Sequence, residues 1–295
     1  MSHVALVACS DPRPMAMKPD IESLVDLLQG EGLSVEVSPC LFDGAEYTPE
    51  NRAKALIAYF TDPTIDKIFD ISGGDLANEV LPFLDYPAIS KSTAVYYGWS
   101  DNTTVMNAVY TKTGKPTVNY QIMNLMRNSE GIAYFRQHII KNTVTVSDLE
   151  ARFIRGTSLE GIAVGGNIRC LLKLAGTEYW PDMKGKILLL ESLGGRVSQM
   201  QTALTQLSQM GVFEQISGLL LGTFTTMEEE QCVPSIEDLV LAATPNDLPV
   251  AKTRYIGHGK DARGIVLGRK IGLYRDDSDC DDFPNKRRSG EIFRK

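Results

Sequence analysis

Through the first 120 residues, short apolar runs alternate with longer stretches of helical period. VALVAC (4–9), SVEVS (34–38), KIFDIS (67–72) and TAVYYGW (93–99) are rich in Val, Ile or Tyr and end in turn residues. That is the pattern of buried strands. Between them, PDIESLVDLLQGEG repeats Ile21, Leu24, Val25 and Leu28 at helical spacing, with Gly30 and Gly32 as stop signals. TPENRAKALIAYF opens with Thr48 as N-cap and Pro49 at the first helical position. DLANEVLPFLD and NTTVMNAVYTKTG supply a third and a fourth helix. Strand and helix in strict alternation predict a parallel sheet covered on both faces. In such sheets ligands bind beyond the carboxyl ends of the strands.

The rhythm changes from about residue 121. SEGIAYFRQHIIK is a helix, and the polar, irregular NTVTVSDLEARFIRGTSLEG suits a crossing into a second domain that starts near GIAVGGNIRC. There GKILLLE, SGLLLGTF, VAKTRYIG and RGIVLGRKIGLY read as strands, and SQMQTALTQLSQMG and SIEDLVLAAT as helices. The expected organisation is an α/β domain over 1–125, a crossing segment over 126–160 and a second domain over 161–295.

The 295 residues suit two domains, and 43% hydrophobic with 23% charged residues is ordinary globular composition. A net charge of −7 argues against binding a nucleic-acid polymer, whose phosphates call for a basic face. No apolar stretch approaches the roughly 20 residues that span a bilayer, so no membrane partner is expected. The start MSHVALVACSDPRP lacks the basic, long apolar form of a secretory signal and reads as a first strand. Cys9, Cys40, Cys170, Cys232 and Cys280 are scattered, without a CxxC pair. That usage suggests reduced thiols in a cytoplasm. The acidic run Asp276, Asp277, Asp279, Asp281 and Asp282 is conceivable as a metal site, but its spacing matches no EF-hand loop, and a solvated tail is the simpler reading.

Three histidines narrow the candidate chemistry. His3 is terminal, and His138 belongs to an amphipathic helix. His258, in YIGHGKD, stands between Gly257 and Gly259 at a strand end. It is either a plain loop residue or the best general base in the chain. Ser100, in YYGWSDNTTV, follows a strand and precedes a helix. It is either that helix's N-cap or a nucleophile on an elbow of the G-x-S-x-G kind with the last glycine missing. Glu191 closes the apolar strand GKILLLE; it either starts a loop or orients the histidine. Gly73 and Gly74, between strand and helix, could offer N–H groups to an oxyanion or to a phosphate, though no nucleotide fingerprint is present. The missing elbow glycine also leaves room for a non-catalytic small-peptide-binding protein.

ISGGDLANEVLPFLDY, YYGWSDNTTVMNAVYTKTG, AVGGNIRCLLKLAGTEYWPDMKGKILLLES and YIGHGKDARGIVLG resemble, in order, blocks of the LD-carboxypeptidase family of serine peptidases. That family takes in muramoyl-tetrapeptide carboxypeptidases and microcin C self-immunity proteins. The blocks cover most of 67–268. The resemblance implies a flavodoxin-like N-terminal domain, a mainly β C-terminal domain with flanking helices, and a triad of Ser100, His258 and Glu191. It also implies oxyanion donors from the backbone amides of Gly74 and Asp101, no metal or organic cofactor, and a homodimer. The implied reaction is release of a terminal D-amino acid from an L-centre of a cytoplasmic muropeptide in cell-wall recycling. The other activity in the family is hydrolysis of a peptidyl- or aminoacyl-adenylate. SGGD is closer to the immunity-type members, and SLGG follows Glu191 where an acidic residue is common. These departures leave the catalytic set intact and bear on the substrate.

Overall fold

The computed structural model describes residues 2–275; the acidic run from Asp276 to Asp282 lies outside the described residues. In the first half the chain forms β1 (His3–Val7), α1 (Lys18–Gly30), β2 (Ser34–Val37), α2 (Pro49–Thr61), β3 (Lys67–Asp70), α3 (Tyr86–Lys91), β4 (Val95–Gly98), α4 (Thr103–Thr113) and β5 (Thr117–Asn119). The five strands are parallel and lie in the spatial order 2-1-3-4-5, the flavodoxin-like arrangement. Side chains alternate across β1 because a strand has a period of two. Ala5 and Val7 join Leu56, Phe60 and Tyr96 on one face. Val4 and Leu6 meet Ile21, Leu24 and Leu28 of α1 on the other. Each of those α1 side chains contributes about 1.5–3 kcal/mol by leaving water. The Thr48 hydroxyl accepts the Asn51 N–H at 3.2 Å and caps α2.

The chain continues through α5 (Ser129–Tyr134), β6 (Arg152–Arg155), β7 (Ser158–Asn167), α6 (Ile168–Leu172), β8 (Lys186–Ser192), α7 (Val197–Gln209), β9 (Gly218–Phe224), α8 (Thr225–Glu229), α9 (Ile236–Ala243), β10 (Val250–Lys252), β11 (Ile265–Leu267) and β12 (Lys270–Tyr274). β7, β8, β9 and β10 form a parallel centre, and β12 and β6 close its two edges antiparallel. Leu188, Leu190, Leu219 and Leu221 pack with Leu204 and Leu207 of α7. Ile187, Leu189 and Leu220 point the other way, into the cluster that also holds Leu56 and Tyr96. One core therefore runs through both halves.

Several elements differ from the sequence reading: β5, α6 and α8 were not expected, and VAKTRYIG is a strand only over Val250–Lys252. DLANEVLPFLD forms 3-10 turns over Ala77–Phe83, because Pro82 offers no N–H and cannot sit inside an α-helix. The irregular segment holds β6 and the start of β7; β6 is a half-exposed edge strand, so it lacks the apolar run that marks a buried one. RGIVLGRKIGLY breaks in two at Gly268 (φ +80°), where an added Cβ would lie 2.5 Å from the Tyr110 ring. Its first part, β11, pairs antiparallel with β5 of the first sheet, and its second, β12, edges the second sheet.

Candidate active site

Ser100 lies past the carboxyl end of β4 with φ +50°, a left-handed conformation that is uncommon for a residue bearing a side chain. The strained turn lifts Oγ off the sheet. No side-chain cap is made at this turn or at the start of α4, so the N-cap reading fails. Instead Ser100 Oγ lies 3.1 Å from His258 Nε2. The other imidazole nitrogen, Nδ1, is 2.8 Å from Glu191 Oε2. The tautomer that satisfies both contacts carries its proton on Nδ1, donates to Glu191 and accepts the Ser100 hydroxyl at Nε2.

Each partner is placed by its own local structure. Glu191 sits where the β8–β9 register shifts between Leu190 and Ser192, an irregularity of the kind that re-aims a side chain. It is 2% exposed. A Cβ on Gly222 would lie 3.0 Å from the Glu191 Cβ, so the strand beside it must be bare. His258 stands on the loop between β10 and β11. Gly257 (φ +132°) turns the chain there, and a Cβ on it would meet the Thr223 hydroxyl at 2.1 Å. The Asn124 amide donates to the Gly259 carbonyl at 3.0 Å, and the Trp99 ring meets the imidazole edge-on at 5.3 Å. The loop is thus held from both halves.

The absent elbow glycine has a physical explanation. Asn102 fills that position, fully buried; its Nδ2 donates to the Ser72 carbonyl at 3.0 Å, and its Oδ1 lies 3.1 Å from Tyr96 Oη. The small residue is at Gly98 instead, where a Cβ would come within 2.8 Å of the Asn102 Cβ. Below the elbow, Asp70 takes the Cys9 N–H, the Ser72 N–H and the Tyr96 hydroxyl at 2.8 Å each, and the Ser72 hydroxyl at 2.5 Å. Burial pushes its carboxyl up, against the pull of those donors.

Ser100 opens on a cleft of about 860 Å³ whose walls include Gly74, Asp75, Arg169, Leu193, Gly194 and Gln199. Gly73 packs against Ser100, with its would-be Cβ 3.8 Å from the serine Cβ, which brings the Gly73–Gly74 turn beside the elbow. Arg169 pairs with Asp75 and holds that carboxyl below the usual carboxylate range. Sequence reasoning passed over Asp70, Asn102, Arg169 and Lys173. The only trace of the two cations is their spacing of four along NIRCLLK, which names no partner.

Residues 4–120 match the profile of the LD-carboxypeptidase N-terminal domain and residues 160–273 that of its C-terminal domain. The chain belongs to the LD-carboxypeptidase family. It is a serine-peptidase-like hydrolase. The Bacillus subtilis putative carboxypeptidase YocD is 27% identical over 202 residues, which are 59% of this chain and 62%, under two thirds, of that protein. The microcin C7 self-immunity protein MccF of Escherichia coli is 25% identical over 325 residues, covering 96% of this chain and 91% of that protein. A solved structure of MccF in complex with glutamyl sulfamoyl guanosine superposes with a TM-score of 0.82 at 19% identity, over 92% of this chain and 93% of the other. That likeness is one of fold.

Proposed function

We propose that the chain is an LD-carboxypeptidase that releases a terminal D-amino acid from an L-centre of a cytoplasmic muropeptide, using Ser100, His258 and Glu191 as a triad. The supporting observation is the continuous chain from Ser100 Oγ through the imidazole to the Glu191 carboxylate, opening on a cleft of peptide size. His258 Nε2 takes the Ser100 proton as Oγ attacks the amide carbonyl, and Glu191 stabilises the imidazolium. The backbone amides of Gly74 and Asp101 receive the oxyanion. His258 then protonates the leaving amine, and water releases the acyl group from Ser100 by the same steps. The reading includes a homodimer in the cytoplasm and needs no metal or organic cofactor.

A second substrate fits the same site. The match to the microcin immunity protein runs through nearly the whole of both chains, as does that to the probable murein peptide carboxypeptidase of Bacillus subtilis. The same triad would then cleave an aminoacyl- or peptidyl-adenylate. Incubation with a muropeptide tetrapeptide and, separately, with an aminoacyl sulfamoyl adenosine, followed by mass spectrometry, separates the two. A fluorophosphonate should label the wild type and not Ser100→Ala, and Ser100→Ala should lower kcat by about 10³-fold or more. Labelling that persists in Ser100→Ala removes the nucleophile.

A further inference from the structure

Two cations from the second half of the chain reach into the first half beside the elbow. Lys173 stands one turn beyond Arg169, at the end of α6. Its ammonium donates to the Asp101 carboxylate at 2.6 Å and to the Asp75 carbonyl at 2.8 Å, with the Asp75 carboxylate 3.6 Å away. Arg169 donates to the Gly74 carbonyl at 3.1 Å and pairs with Asp75. The Asp101 side chain is fully buried and takes two further bonds, from the Ser10 hydroxyl at 2.7 Å and the Ala77 N–H at 2.8 Å. Lys173 itself is 20% exposed. An ammonium has three donors, and this one spends them on two separate loops. Those loops carry the amides of Gly74 and Asp101.

The base of this clamp is rigid. Gly166 (φ +136°) lies so close to α4 that a Cβ on it would come 2.5 Å from Thr103 Oγ1. The Asn167 N–H donates to that hydroxyl at 3.0 Å, and the Asn107 amide exchanges two bonds of 2.9 Å with the Gly165 backbone. α6 therefore leaves the sheet at a fixed point against the helix that begins just past Ser100.

We propose that Lys173 is a positioning residue. By holding the Asp75 carbonyl and the Asp101 carboxylate together, it sets the separation of the two amides that receive the developing oxyanion. This rests on the triad reading above. Oxyanion donors work only at hydrogen-bond distance from where the charge forms, and a misplacement of about 1 Å costs on the order of 10²-fold in rate.

Three variants test it with the full chain: Lys173→Met, Lys173→Arg, and the double variant Lys173→Met with Asp101→Asn. The double variant removes the buried charge while the Asn carboxamide oxygen still accepts from Ser10 and Ala77, so it folds even where Lys173→Met does not. Expected for Lys173→Met is a loss of kcat of about 30–100-fold with KM within about threefold. Lys173→Arg should recover most of the rate. The double variant should regain the wild-type melting temperature and remain slow. The rate at which a fluorophosphonate labels Ser100 should fall in parallel, because its phosphonyl oxygen occupies the oxyanion position. A double variant with wild-type kcat would reduce Lys173 to a neutraliser of Asp101 and overturn the proposal, as would a Lys173→Met effect confined to KM. Equal labelling in every variant overturns the positioning role alone. A wild type whose Ser100 never labels overturns the triad reading and takes this proposal with it.

Discussion

Replacing Glu191 with Gln removes one charge and almost no volume, so it isolates the electrostatic share of the carboxylate. Glu191 is 2% exposed, and its Oε2 lies 2.8 Å from His258 Nδ1. A Cβ on Gly222 would lie 3.0 Å from its Cβ and one on Gly257 3.4 Å from Oε2, so the carboxylate sits in room that glycine leaves on both sides. When His258 takes the Ser100 proton, an imidazolium forms beside that carboxylate. With charge centres about 4 Å apart and an effective dielectric near 20, the attraction is about 4 kcal/mol. At about 1.4 kcal/mol per decade this equals about three decades of rate. The amide of Gln can also present N–H to Nδ1 and favour the wrong tautomer, which takes the loss toward about 10⁴. Because the charge appears only in the transition state, the loss belongs in kcat, with KM nearly unchanged. Steady-state hydrolysis of the muropeptide, with circular dichroism to confirm folding, measures it. A folded Glu191→Gln protein that retains kcat within about tenfold refutes the electrostatic role.

Gly166→Ala should destabilise the protein by about 2–4 kcal/mol in urea unfolding, since the new methyl meets Thr103 Oγ1 at 2.5 Å and the backbone is left-handed there; a change under about 0.5 kcal/mol would mean that α4 and β7 part easily. The Arg169–Asp75 pair makes a pH prediction. The guanidinium holds the Asp75 carboxyl below its usual range, so the stabilisation is present above the unfolded pKa of about 3.9 and is lost as pH falls through the lowered folded value. The stability difference between wild type and Arg169→Gln should therefore be clear at pH 6 and shrink toward zero below about pH 3. A difference that does not change with pH refutes the pairing as a source of stability.

Much of the first sheet was legible because β1, β3 and β4 are buried, which leaves continuous Val, Ile and Tyr runs between helices with plain caps such as Thr48, whereas β2, read as buried, is an exposed edge strand. Ser100, Glu191 and His258 were legible for a related reason. Ser100 and Glu191 stand where an apolar strand run ends, and His258 lies between two glycines, although the strand read through VAKTRYIG stops at Lys252 and leaves it on a loop. β6 and the split of β11 from β12 were not, since an edge strand has no apolar signature and the choice of sheet is a matter of long-range pairing. That pairing matters for the site. β10 anchors the His258 loop in the second sheet, and β11 anchors it in the first, with Ile265 opposite Asn119. The imidazole is therefore strung between a sheet that supplies Glu191 and a sheet that supplies Ser100. Nothing local in YIGHGKD records this, because the residues that fix it are Leu219 to Leu221 on one side and Thr117 to Asn119 on the other. The return of β11 to the first sheet is thus the topological step that joins two strand ends and the loop between β10 and β11 into one hydrogen-bonded chain. Weakening the β5–β11 pairing should free His258 from Ser100 before it frees it from Glu191, whose own contact lies within the second sheet's side of the loop.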